Sequence, residues 1–457
     1  MKRWLIIALA VALLAGLGTW TLARKLAPAP ASAAAFDPEQ ARLAIRFLDL
    51  LDAAEYEAAL AMATPRLQQG LAGGKLQQAW EGVPATFGKR ESRGEPRCET
   101  IDGQPLVSSR LQFAMLAFDA RVVFDANNVI SGFWIVPASK PSTATAKTAD
   151  AARRERELSV GEEPLALPAT LTLPMGDGPF PAVVLVHGSG PHDRDETIGP
   201  NKPFLDLAHG LADQGIAVLR YEKRTRVHPE AFAGNTFTVD DETVDDALAA
   251  VALLRTQQDI DSRNIFVAGH SLGAMMAPRI GERDPAIAGL ILLAAPASKL
   301  EDIVVRQTRY LARLQGMGNA EIAKALDAIE PQREAVRQLA ADAAAGTPLL
   351  LGLPASYWRD LNGYDPIVTA GLVKQPMLIL QGGRDYQVTV ADEFSAWRAA
   401  FATNPRFEMI EYPSLGHAFM TGNDPPGPKD AESPAHVDHK VLDDIARWVK
   451  GNRPPAT

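Results

Sequence analysis

The chain has 457 residues, of which 47% are hydrophobic and 22% charged; this composition is globular and excludes a largely disordered, collagen-like or multi-spanning membrane protein. Lys and Arg total 46 against 55 Asp and Glu, and a net charge of -9 provides no broad phosphate-binding surface, so nucleic acid is not an expected partner. The single cysteine, Cys98, rules out an internal disulfide and any zinc or iron–sulfur centre built from cysteines.

Lys2 and Arg3 precede an apolar run from Trp4 to Leu22, and the small residues Ala31-Ser32-Ala33 and Ala33-Ala34-Ala35 follow. This is the pattern of an export signal with an A-x-A cleavage site, so residues 1–35 are expected to direct export and to be cut near Ala33 or Ala35. The run is also just long enough to span a bilayer as an uncleaved anchor. Thr19, Thr21, Arg24 and Lys25 speak against that alternative. Both readings place the bulk of the chain outside the cytoplasm, periplasmic or secreted, with no membrane insertion beyond that possible anchor.

Residues 36–137 read as a small α+β domain. Phe47, Leu50, Leu51 and Ala54 form a helical stripe, and Pro65 to Trp80 is a second helical stretch. Alternating apolar residues from Leu111 to Val136 follow, with turn chemistry at Asp125-Ala126-Asn127-Asn128. Ala138 to Ala152 lacks a periodic apolar face, so 138–157 is expected to be a linker, with Arg153 to Glu157 as a solvated lead-in.

Strands and helices alternate through 158–457. Ala182 to Val186, Ile216 to Leu219, Ile265 to Ala268, Leu290 to Leu293, Met377 to Leu380 and Phe407 to Tyr412 are short buried-type strands separated by amphipathic helices. That rhythm predicts an α/β architecture, a mostly parallel sheet covered by helices on both faces. About 80 helix-rich residues between Leu293 and Met377 interrupt it. They are expected to form a helical cap over 297–370 that shapes a substrate pocket.

Gly269-His270-Ser271-Leu272-Gly273 has the form G-x-S-x-G and sits between a strand and a helix, as a nucleophile elbow requires. A serine hydroxyl needs a base to take its proton. His417 follows the last strand and is the candidate; His436 and His439, at the start of the last helix, are the rivals. The carboxylate that orients the imidazole is expected at Asp385, just past the strand Met377 to Leu380. The chain order Ser271, Asp385, His417 is the one this architecture uses. The N–H groups of Leu272 and Ser189 are the candidate oxyanion donors, Ser189 lying in Val186-His187-Gly188-Ser189-Gly190 after an early strand. Asp193 to Glu196 and Arg220 to Arg224 are expected to pair and hold their loops, and His187 and His270 to serve packing or local hydrogen bonds. No nucleotide fingerprint and no H-E-x-x-H occurs, so no cofactor and no metal is expected.

With these motifs in place, the segment from Leu158 to Asn452 resembles the bacterial α/β-hydrolase superfamily, nearest to its dienelactone-hydrolase-like and serine-aminopeptidase-like branch. The stretch His187 to Thr197 (H-G-S-G-P-H-D-R-D-E-T) and the pairing of G-H-S-L-G with G-G-R-D carry the resemblance. It implies the α/β-hydrolase fold and hydrolysis of small carboxylic esters, with Ser271 as nucleophile, Asp385 as acid and His417 as base. Dienelactone hydrolases typically use cysteine where this chain has serine, so lactone specificity is not implied. Residues 36–137 resemble a small uncharacterised domain that sometimes precedes such hydrolases. A carboxylesterase for short-to-medium acyl esters is the leading expectation. A thioesterase or peptidase on the same residues, and a non-catalytic envelope-binding protein, are the alternatives.

Overall fold

The computed structural model describes residues 32–33, 37–77, 80–81, 90–101, 104–113, 117–137, 153–232, 236–327 and 329–452. The expected signal segment lies outside the described residues apart from Ser32–Ala33, as do 138–152 of the expected linker. The described residues form two compact units that divide between residues 137 and 153.

In the first unit, helices α1 (Pro38–Asp52), α2 (Tyr56–Ala61) and α3 (Pro65–Leu71) precede an antiparallel sheet. Asp37 caps α1 by accepting the Glu39 and Gln40 N–H groups. The strands are β1 (Ser32–Ala33), β2 (Arg90–Arg93), β3 (Arg97–Ile101), β4 (Gln104–Phe113), β5 (Ala117–Phe124) and β6 (Ile130–Pro137), ordered β1-β3-β4-β5-β6 with β2 also on β4. Asp125 makes the β5–β6 turn by accepting the Asn127 and Val129 N–H groups, each at 2.9 Å, and Asn128 takes the left-handed conformation. Phe47, Leu48 and Leu51 of α1 pack on Leu111, Phe113, Val122 and Phe124 of the sheet.

The second unit is built on an eight-stranded sheet: β7 (Arg153–Val160), β8 (Leu167–Pro174), β9 (Phe180–Val186), β10 (Ala217–Tyr221), β11 (Ile260–His270), β12 (Gly289–Leu293), β13 (Met377–Gly382) and β14 (Phe407–Tyr412). Their order is β14-β13-β12-β11-β9-β10-β8-β7. β9 to β14 run parallel, and β8 and β7 close one edge antiparallel. One face is covered by α4 (Pro203–Ala212) and α14 (His439–Gly451), whose Phe204, Leu207, Leu211, Leu442, Ile445 and Trp448 join Val183, Leu185, Phe266 and Ile291 in one core. α6 (Asp245–Arg255) and α7 (Leu272–Arg283) pack on the sheet through β9, β11 and β12. Arg224–Val227 forms the short α5, and Ser395–Phe401 forms α13 between β13 and β14.

Two boundaries differ from expectation. Residues 153–157 are not a linker: they belong to β7, paired with β8 from Arg153↔Pro174 to Val160↔Leu167. β7 is an edge strand, and its charges face solvent and loop partners, Arg153 to Asp213 and Arg156 to Asp259, so it shows no apolar alternation. The insertion after β12 contains α8 (Leu300–Leu314), α9 (Asn319–Leu326), α10 (Glu330–Arg337) and α11 (Ala355–Asn362); α9 and α10 pack on α8, and α11 packs on α10. α12 (Pro366–Leu372) packs against α7 and belongs to the helical layer, so the inserted part ends near 362 rather than 370.

Candidate active site

β11 lies in the middle of the sheet and ends at His270; α7 starts at Leu272. The whole turn is one residue, Ser271, held at φ 53° and ψ -115°. A side chain in that region costs about 1–3 kcal/mol and persists only where the surroundings enforce it. Here they do. The Ser271 N–H donates to the Leu293 carbonyl and its carbonyl accepts the Met275 N–H, both at 2.9 Å. The two motif glycines exist because of close approach. A Cβ on Gly273 would overlap the Val186 carbonyl and lie 2.7 Å from that of His187, and one on Gly269 would overlap the Gly273 carbonyl. α7 continues unbroken through Pro278.

Asp385 follows β13 in a tight turn. Its Oδ1 accepts the Gln387 and Val388 N–H groups at 2.8 and 2.9 Å, and its Oδ2 accepts from His417 Nδ1 at 2.7 Å. With Nδ1 engaged, Nε2 is the nitrogen of His417 left for other work. Gly382 and Gly383 let the two loops meet: a Cβ on Gly382 would lie 2.6 Å from the Leu415 carbonyl, and one on Gly383 2.6 Å from Pro413 Cα. His436 is exposed and pairs with Asp206, and His439 is exposed at the start of α14. His417 is the histidine joined to Asp385.

The loop after β9 lies flush against the elbow, since a Cβ on Gly188 would sit 3.2 Å from Ser271 Cβ. Its peptide groups are gripped one by one. The Gly188 N–H donates to Glu196 Oε1 at 2.7 Å, the Gly188 carbonyl accepts from Lys223 Nζ at 2.7 Å, and the Ser189 carbonyl accepts from His192 Nε2 at 2.6 Å. With the Gly188 N–H occupied, the Ser189 N–H is the next amide along this loop. Leu272 is the first residue of α7, where an N–H has no intrahelical acceptor.

Two features went unassigned by motif reading. The first is a buried pair, His270 and Glu196, with Nδ1 3.0 Å from Oε2. The second ring nitrogen of His270 donates to the His417 carbonyl at 3.0 Å. Both neighbours are acceptors, an environment that favours the protonated ring. Burial alone would lower the His270 pKa, but Glu196, the His417 carbonyl and Asp385 raise it above its ordinary value. Burial likewise opposes ionisation of Glu196, yet His270, His192 and His187 hold it at about 2. Glu196 itself stands in the left-handed region at φ 51°. The pair thus ties together the Gly188 loop, the elbow and the His417 loop, and the rings of His270 and His417 lie 4.6 Å apart. His187, by contrast, is driven down to about 3 by burial and packs its neutral ring on Phe204 and Tyr221. The second feature is a buried run from Lys223 through Glu242 to Tyr357 of α11, with contacts of 2.7 and 2.6 Å. Burial, and then Glu242, push the Tyr357 hydroxyl well above its ordinary pKa, so it is the donor of that contact. The remaining loop charges pair as expected, Arg220 with Asp195 and Arg194 with Glu222. Charges this far apart in the chain carry no period, and only the position of Lys223 just past the end of β10 hints at such a role.

A sheet of this topology, with a strained serine after its central strand and an Asp–His pair after the strands that follow, defines an α/β hydrolase. A model of the alpha/beta hydrolase family matches residues 183–427, and a model of a family of proteins of unknown function, DUF3887, matches residues 44–133. Over 417 residues the chain is 36% identical to the esterase EstD of Thermotoga maritima, spanning 91% of this chain and 95% of that protein. Among solved structures it is similar to Est1E of Butyrivibrio proteoclasticus (17% identity, TM-score 0.40, 65% of this chain and 96% of that one). A second is the Pyrococcus furiosus esterase Pf2001 (15% identity, TM-score 0.41, 66% and 94%). The chain belongs to the alpha/beta hydrolase family.

Proposed function

We propose that this protein is an exported serine carboxylesterase acting on short-to-medium acyl esters. Ser271 is the nucleophile, His417 the general base and Asp385 the carboxylate that orients it. The observation that carries this reading is the 2.7 Å hydrogen bond from His417 Nδ1 to the buried Asp385, together with a strained serine at a helix start whose neighbour His270 has its ring 4.6 Å from that of His417. It leaves the other ring nitrogen, Nε2, to take the Ser271 proton as Oγ attacks the ester carbonyl. The carbonyl oxygen, now an oxyanion, is met by the N–H groups of Leu272 and Ser189. The intermediate collapses, His417 returns the proton to the departing alcohol, and an acyl group remains on Ser271. Water, deprotonated by His417, repeats the sequence and frees the acid.

The family assignment and the identity to an esterase support ester hydrolysis. Export is supported by the Trp4–Leu22 run and the alanines after it; among the described residues no helix is long and apolar enough to cross a membrane. Ser271→Ala tests the chemistry. Turnover of p-nitrophenyl acetate should fall roughly 10,000-fold or more, with the thermal unfolding transition retained. An acyl series from acetate to decanoate, run beside a matched thioester and anilide, checks the substrate class: the short and medium esters should give the highest kcat/KM.

A further inference from the structure

The Gly188–Ser189 peptide is a trans bond, so its carbonyl and its N–H point in opposite directions. Whatever holds the Gly188 carbonyl therefore also aims the Ser189 N–H. The holder is Lys223, just past β10 and 2% exposed, whose Nζ lies 2.7 Å from that carbonyl and 2.7 Å from Glu242 Oε1. Lys223 is fixed in turn by its own N–H, which donates to the His192 carbonyl at 3.1 Å. Glu242, also 2% exposed, spends its second oxygen on the hydroxyl of Tyr357, in the inserted helix α11. A buried ion pair is a poor device for stability alone, because apolar side chains of the same volume do as well or better. This one is placed on the peptide that borders the nucleophile.

We propose that Lys223 is a positioning residue for the oxyanion hole, its ammonium orienting and polarising the Gly188–Ser189 peptide so that the Ser189 N–H meets the developing negative charge. A cation on the carbonyl side of a peptide draws electron density from the N–H side and strengthens it as a donor. Glu242 keeps the ammonium in place, and Tyr357 links that clamp to the helical insertion. The inference rests on the proposed roles of Ser271 and Ser189.

The test uses the full-length protein with Lys223→Met and Glu242→Gln combined, which removes both buried charges together and keeps the side-chain volumes. Three quantities are read: kcat and KM for p-nitrophenyl acetate, the inhibition constant of a trifluoromethyl ketone that binds as an oxyanion, and the thermal transition. Removing an oxyanion donor outright costs 100- to 1,000-fold in kcat, and misaiming one costs less. The expected result is a kcat lowered about 10- to 100-fold, KM within about threefold, and ketone affinity falling in parallel with kcat. Native kcat in the folded double variant overturns the inference, whatever its melting temperature, because a merely structural pair would move only the latter. Glu242→Gln alone keeps the hydrogen-bonding shape and serves if the double variant does not fold; a kcat loss of about three- to tenfold supports the clamp and an unchanged kcat overturns it. Ser271→Ala is assayed alongside. If it stays active, the reading of the site fails and this inference with it; if it is inactive while both clamp variants keep native kcat, only the role of Lys223 is overturned.

Discussion

His270 and Glu196 show how much of a site can lie behind the residues that touch substrate. Glu196 is ionised down to about pH 2 against an ordinary value of 4.5, so its contribution to stability is complete above about 4.5 and lost as pH falls toward 2. His270 is raised above its ordinary 6.5, so its contribution is complete below that value and lost as pH rises through the higher, folded one. The pair is therefore fully formed between about pH 4.5 and 6.5. Glu196→Gln should lower the unfolding free energy by about 3 kcal/mol at pH 6 and by less at an alkaline pH that deprotonates His270. Urea titrations at the two pH values check this, and equal losses would speak against a charged pair. At this scale the positions of Ser271, Asp385 and His417 past strand ends were legible, because each follows an apolar run. Glu196–His270 and Lys223–Glu242 were not, since pairing between distant charged residues leaves no periodic trace. The Asp385 role has its own check: Asp385→Asn keeps the contacts from Gln387 and Val388 but removes the carboxylate from His417, and kcat should fall roughly 10,000-fold.

Elements differ in how plainly their sequence announces them. The central strands β9, β12 and β13 and the Ile265–Ala268 part of β11 carry continuous apolar runs because both faces are covered, and all four strands were expected there, although β11 starts five residues earlier, at Ile260. β8 has period-two alternation at Leu167, Ala169, Leu171 and Leu173, all buried, yet nothing local states that it runs antiparallel to β10. β7 carries Arg-Arg-Glu-Arg-Glu and looks like solvated chain until its ladder to β8 is seen. The insertion was legible as helices between β12 and β13, but assigning α12 to the layer beside α7 needs the contact itself. The elbow gives the sharpest prediction at this scale. Gly273→Ala places a methyl group against the Val186 and His187 carbonyls, which are backbone and held in the sheet. Stability should fall by about 1–3 kcal/mol and kcat/KM by more than that loss of folded protein explains, measured by urea unfolding and ester turnover on the same preparation.

At the scale of the molecule, a hydrolase unit with its own sheet and core follows an α+β unit with another, and the export reading adds a leader ahead of both. Export predicts a mature chain beginning near residue 34 or 36, which intact-mass measurement of protein recovered from outside the cytoplasm reads directly; a mass including residues 1–33 favours the anchor instead. The net charge of -9 offers nothing to polyanions. The central claim is that Ser271, His417 and Asp385 act as one proton-transferring unit. Its most direct test is covalent labelling with a fluorophosphonate, followed by mass spectrometry of the modified peptide, in the native protein and in His417→Ala. The account predicts a single adduct on Ser271 in the native protein, formed at least about 1,000-fold more slowly in the variant. An adduct on another residue, or labelling of Ser271 at the same rate without His417, would contradict it.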